Sequence, residues 1–128
     1  MLAFLLWQGK IPVLLRTSWA RPLFSTFTIC LMQFMSISRR RTDVFPPEAF
    51  TPELAAQEGQ RVREMYAAGI LRQIWRRGDA PGAVIVWEAA SEEEVRAAIA
   101  TLPLAQAGMI ETVLLTSLEP YPAFSPAK

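Results

Sequence analysis

The stretch Gly69-Ile70-Leu71-Arg72-Gln73-Ile74-Trp75-Arg76-Arg77-Gly78, continued by Asp79-Ala80-Pro81-Gly82 and Ala83-Val84-Ile85-Val86-Trp87-Glu88, decides the fold. Two short runs rich in β-branched and aromatic residues flank a turn of Gly, Asp and Pro, which is the pattern of a β-hairpin. A helical pattern lies on each side of it, so the order along the chain is β-α-β-β-α-β. The same hairpin places the cationic side chains Arg72 and Arg76 close to the Trp75 indole, so the search for function starts there too.

Upstream of the hairpin, Thr51 reads as a helix N-cap, with Pro52 in the first turn and Glu53 favoured by the helix dipole. Leu54, Glu58, Val62, Met65 and Gly69 step down one face of this helix, with Val62 and Met65 as core residues and Gly69 as the stop. Gly59 costs about 1 kcal/mol against Ala in a helix interior, which suggests close packing there. Earlier still, Met32 to Ser38 is rich in Met, Phe and Ile and reads as a strand buried on both faces. Arg39-Arg40-Arg41 ends that strand, as the polar exit or as a contact for an anionic ligand, and Phe45-Pro46-Pro47 continues no regular element.

Downstream, Ser91 and Glu94 form a capping box for a second helix, whose buried stripe is Val95, Ala98, Ile99 and Leu102. Pro103 ends it, Gly108 makes a turn, and Ile110 to Leu118 is the last strand. Glu119 to Lys128 carries three prolines and is expected to be extended. Two helices on one face of a four-stranded antiparallel sheet leave the other face bare. Val84, Val86 and Leu114, or their alternates, then form an exposed apolar patch of the kind that marks association.

The 128-residue chain, 52% hydrophobic and 20% charged, has the balance of a globular domain rather than a disordered one. A net charge of +1 gives no global attraction to nucleic acid. The balance is uneven, because no acidic residue precedes Asp43. Cys30 is the only cysteine, so no intrachain disulfide forms, and a cytoplasmic location is expected. The chain has no histidine, which removes the commonest general base and metal ligand; no metal site is expected.

Residues 1–31 are apolar, acid-free and interrupted by Pro12 and Pro22. They lack the leading positive charge of a secretory signal, and Leu23 to Met35 is too short for a hydrocarbon layer of about 30 Å. They read as an unstructured extension or a mis-called start before Met32, with residues 32–128 as the domain; a transit peptide is the competing reading.

From Met32 through Arg72-Gln73-Ile74-Trp75-Arg76, and again at Leu102-Pro103-Leu104, the sequence resembles the muconolactone Δ-isomerase family among the ferredoxin-like dimeric α/β barrels. In that family the hairpin motif typically reads Trp-Arg-His-Leu-Trp-Arg, and Leu-Pro-Leu precedes the last strand. The resemblance implies an α+β, ferredoxin-like chain assembled into a homo-oligomer of dimers. It implies a reaction without cofactor or metal: the shift of a double bond in a butenolide lactone during catabolism of aromatic compounds. Such chemistry needs a proton carrier near a carbonyl, and donors or cations for the enolate charge.

On this resemblance Glu58 matches a helical carboxylate and is the candidate base. Arg72 and Arg76, four residues apart on a strand, are expected to share one face and to bind a carboxylate. Trp75 and Gln73 complete the expected substrate-binding set. The family's His falls on Gln73, the Lys of its first strand on Ile37, and its Phe-Pro-Tyr on Ala105-Gln106-Ala107. These departures keep open a second reading, a non-catalytic small-ligand binding or accessory protein on the same scaffold. A cofactor-independent oxygenase-like barrel is a third. Partners beyond a small-molecule substrate and further copies of the chain, such as nucleic acid or a membrane, are not expected.

Overall fold

A computed structural model of the protein describes residues 30–124. Most of the N-terminal extension expected at 1–31 therefore lies outside the described residues, as does the end of the proline-bearing tail. The elements run β1 (Met32–Arg40), α1 (Pro52–Ala68), β2 (Leu71–Arg76), β3 (Ala83–Ala89), α2 (Glu92–Ala100), a short α3 (Pro103–Gln106) and β4 (Ile110–Leu118). The strands form one antiparallel sheet in the order β2-β3-β1-β4, the ferredoxin-like arrangement.

Local chemistry explains the helix ends. Thr51 Oγ1 accepts the Leu54 N–H at 3.2 Å, which satisfies one of the orphan donors of the first turn. Pro52 occupies that turn, and Gly69 closes α1 in a left-handed conformation at φ 87°, the usual glycine stop. Ser91 Oγ accepts the Glu94 N–H at 3.2 Å. Glu94 reaches back to the Ala90 N–H, one residue before the amide a standard capping box would use. Pro103 does more than end α2. It stands in the first turn of α3, after Leu102 has broken the helix with an extended backbone.

The core lies between the helices and one face of the sheet. Phe34, Leu71, Ile85, Trp87 and Ala89 meet Met65, Val95, Ala98 and Leu102 there. Its one buried polar residue, Ser36, accepts the Trp87 indole N–H at 2.8 Å. The largest core side chain therefore carries no unsatisfied donor. Within the chain, β1 is buried on one face only, contrary to the expectation of a strand covered on both. Phe34 and Ser36 are buried, whereas Met35 and Ile37 are half-exposed on the opposite face. The strand also runs two residues beyond Ser38, to Arg40.

The opposite face carries an apolar row across all four strands: Trp75 pairs with Val84, Val84 with Ile37, and Ile37 with Leu114. Trp75 is 52% exposed and Leu114 42%, so the patch expected from Val84, Val86 and Leu114 is present. Gly59 packs against nothing closer than the tip of Arg63 on its own helix, and the close approach expected there is absent.

Each edge strand contains a bulge. Leu71 opposes Trp87 and Gln73 opposes Val86, so Arg72 is an extra residue in β2. In β4, Thr112 and Leu114 oppose the adjacent residues Ser38 and Ile37, which makes Val113 the extra residue.

Candidate active site

The β2 bulge separates the two arginines that strict alternation would place together. Leu71 faces the core beside Trp87, and Ile74, three residues on, faces the same way beside Ile85. Both Arg72 and Gln73 must then turn to the open face, as does Trp75, while Arg76 turns to the helix side. Arg72 lies against Glu88 there, with Nε 3.4 Å from the carboxylate. The expected common face of Arg72 and Arg76 is thus corrected, because the inserted residue changes the phase of the strand between them.

On the helix side, Arg76 borders a cleft of about 170 Å³ between α1, the α2–α3 junction and the hairpin end of the sheet. Ile74, Ile85, Ile110, Val62, Leu102 and Leu104 give it an apolar wall, and Ser38, Arg40, Glu58 and Arg76 supply its polar groups. Arg72, Gln73 and Trp75 are not among its lining residues. Ile37 and Gln73, where the resemblance places a Lys and a His, both belong to the open face, so this cleft loses no cation or imidazole through those departures.

Glu58 enters the cleft from the buried stripe of α1, one turn before Val62 and two before Met65. Its Oε2 accepts the Leu104 backbone N–H at 2.9 Å. The Leu-Pro-Leu sequence explains that bond: Pro103 starts α3, and the early N–H groups of a helix have no carbonyl of their own to meet. Among the described residues Oε1 accepts no hydrogen bond. Burial pushes the Glu58 carboxyl above the ordinary glutamate value; the Leu104 N–H and the nearby charge of Arg40 act in the opposite sense but do not offset it. Arg61, one turn along α1, donates to Thr101 Oγ1 at 2.9 Å and gives the helix a second polar link to the chain leaving α2.

Arg40 is the residue that sequence reasoning did not single out. The three consecutive arginines have three different neighbours. Arg39 pairs with Glu111 at 2.6 Å and Asp43 at 3.2 Å. Arg41 donates to the Gly108 carbonyl at 3.2 Å. Arg40 borders the cleft, continuing the helix-side positions Phe34, Ser36 and Ser38 with period two. That period was the available signal, and it is seen once β1 is extended past Ser38.

The hairpin turn is fastened to this end of β1. The Arg40 N–H donates to the Pro81 carbonyl at 2.9 Å, and Arg77 donates to the Ser38 carbonyl at 3.2 Å while pairing with Asp79 at 2.7 Å. A Cβ on Gly82 would overlap the Ser38 carbonyl oxygen, so only glycine allows the turn to come this close. A second, wider recess of about 660 Å³ lies over the turn and shares Arg40, Arg76 and Gly82 with the cleft.

A half-buried carboxylate with a raised pKa, facing an apolar wall and two guanidinium groups, is suited to moving a proton on a small anionic molecule. Among the described residues no group of three or more His, Cys, Asp or Glu is placed to hold a metal. No helix among them is long and apolar enough to cross a membrane. The fold and this site define a small α+β protein of the ferredoxin-like type with a cleft bordered by one carboxylate and two arginines. The family model described as muconolactone delta-isomerase matches residues 32–123, and the chain belongs to that family. Among solved structures, the chain is similar to the 5-chloro-2-hydroxyhydroquinone dehydrochlorinase of Burkholderia phenoliruptrix AC1100, solved in complex with 2,5-dihydroxybenzoquinone. That match has 17% identity and a TM-score of 0.49, and covers 70% of this chain and 94% of that one. Comparison with curated proteins gives no match.

Proposed function

We propose that the protein is a cofactor-free isomerase that moves a carbon–carbon double bond within a small anionic butenolide lactone, in the cytoplasm, as a step in aromatic-compound catabolism. Glu58 is the proton carrier. Its carboxylate takes a proton from a ring carbon conjugated with the lactone carbonyl, and the electron pair spreads through the double bond to the carbonyl oxygen. The same proton then returns from Glu58 to another carbon of that conjugated system. Atoms and electrons balance without an external oxidant or reductant. Arg76, at the edge of the cleft, offsets the negative charge of the substrate and of the intermediate dienolate. Arg72, Gln73 and Trp75 act outside this step, on the open face.

The observation that carries this reading is the Glu58 carboxylate, held through one oxygen by Leu104 and raised in pKa by burial, in a cleft that also presents arginine. The experiment is isomerisation of carboxylated butenolides followed by ultraviolet absorbance, for wild type and Glu58→Gln. A loss of roughly 100-fold or more in kcat is expected for a removed general base. Equal rates would remove Glu58 from the mechanism.

The non-catalytic binding reading is favoured by one feature. Among the described residues Glu58 is the only carboxylate lining the cleft, and Tyr66 and Tyr121 are 65% and 71% exposed outside it. Saturable binding of the lactone without turnover would select that reading.

We also propose that a second copy covers the open face, since the row Trp75, Val84, Ile37 and Leu114 is a continuous apolar surface. Sedimentation should give dimers or assemblies of dimers, and Leu114→Lys should shift them toward monomer.

A further inference from the structure

Among the described residues, most arginine side chains have a polar partner. Arg39, Arg61, Arg72, Arg77 and Arg96 meet carboxylates. Arg41 donates to a backbone carbonyl, and Arg63 donates to Gln60. Only Arg40 and Arg76 have neither an ion pair nor a side-chain hydrogen bond among these residues, and both border the Glu58 cleft and the wider recess over the hairpin turn. Among the described residues these two guanidinium groups, carried by different strands, border the cleft with Glu58 as its single carboxylate and form no ion pair with it, which leaves an excess of positive charge that an anion would offset.

Arg40 is also held in a way that leaves its N–H donors free. Its guanidinium carbon lies 5.3 Å from the centre of the Phe50 ring. An aromatic face steadies a guanidinium through its quadrupole without using the N–H donors at the edge of the plane. The Arg40 backbone is fixed independently by the Pro81 carbonyl, so strand β1 and the hairpin turn set its position together.

We infer that Arg40 is a specificity-determining residue of this site, forming with Arg76 a two-arginine clamp for the substrate carboxylate where the cleft meets the hairpin recess. This rests on the isomerase reading and adds an orientation to it: the carboxylate lies toward the hairpin turn and the reacting ring toward Glu58 and the apolar wall. The substrate class is a small ring lactone bearing a short carboxylate arm. A neutral lactone of the same shape lacks the group the clamp receives. Phe50 is a positioning residue that acts through Arg40.

The test compares a carboxymethyl butenolide with its methyl ester, for wild type, Arg40→Gln, Arg40→Lys and Phe50→Leu, each verified as folded by circular dichroism. Charge-assisted hydrogen bonds of this kind correspond to roughly 10- to 100-fold in affinity. Arg40→Gln should raise KM for the acid by that factor, with kcat within a few-fold, and should lower kcat/KM for the ester far less than for the acid, so that the preference for the acid is lost. Arg40→Lys should recover part of the loss, and Phe50→Leu should show a smaller rise in KM for the acid alone.

Titration calorimetry with the saturated carboxymethyl lactone, which cannot isomerise, separates this inference from the reaction it rests on. Preference for the acid over its ester, lost in Arg40→Gln, supports the clamp even if no lactone is turned over and the isomerase reading fails. Equal binding by wild type and Arg40→Gln, or no preference for the acid in wild type, overturns the clamp and leaves the role of Glu58 to its own test.

Discussion

The backbone N–H of Leu104 donates to Oε2 of Glu58 across 2.9 Å, joining the short helix after Pro103 to the carboxylate of α1. One oxygen is thereby fixed, and burial raises the pKa of the group against the pull of that hydrogen bond and of Arg40. For a carboxyl whose folded pKa exceeds its unfolded value, the folded state binds more protons between the two. Stability is therefore lost as pH rises through that window, which begins at the ordinary glutamate value and extends upward. Glu58→Gln should abolish this loss and melt higher than wild type at neutral pH, with the difference vanishing below the window. Thermal melts from acid to neutral pH measure it. In wild type, kcat/KM should rise with pH to a midpoint above the ordinary glutamate value, because the base must be ionised to act.

Arg72 and Arg76 give opposite expectations despite their shared motif. Arg76→Gln should raise KM for an anionic lactone by roughly 10-fold or more. Arg72→Gln removes only a half-exposed pairing with Glu88 and should leave both kcat and KM near wild type. Steady-state kinetics on the two variants decides between the bulged strand and strict alternation.

Ser36→Ala leaves the Trp87 indole N–H buried without an acceptor. The expected loss is about 1–3 kcal/mol. Urea unfolding should show a lower midpoint with an unchanged slope, since the surface exposed on unfolding hardly differs.

Gly59→Ala should stabilise the protein by about 0.5–1 kcal/mol, the ordinary gain of a helix interior. The added Cβ meets only the flexible end of Arg63, at 3.4 Å. A destabilised variant in the same urea measurement would show that something else packs against this turn of α1.

The parts of the fold readable from sequence are those governed by local chemistry. Thr51, Gly69 and Ser91 mark helix ends because each satisfies or relieves a particular backbone group, and the last strand spans Ile110–Leu118 as expected. The β-α-β-β-α-β order follows from the same signals. Glu58 could be placed on the buried stripe of α1 by its spacing from Val62 and Met65. Its hydrogen bond could not, because that depends on α3, a helix of one turn, and in the sequence Pro103 reads only as a stop. The run Arg39-Arg40-Arg41 reads as a strand exit or as an anion contact without singling out Arg40, whereas β1 continues through two of the three arginines and so sets Arg40 on the helix side. The facing of Arg72 was not legible, because a bulge depends on what both strands bury and neither strand alone records it.

The bulge also gives β2 a spare residue. Leu71, Ile74 and Arg76 all face inward although the first two are an odd number of positions apart. Deleting Gln73 would restore plain alternation, with Leu71 still turned to the core and Ile74 and Arg76 still turned to the cleft. The edge of the sheet can therefore absorb the loss of one amino acid without turning Arg76 away from the cleft. Members of a lineage could differ in length here and still present the same guanidinium to a ligand.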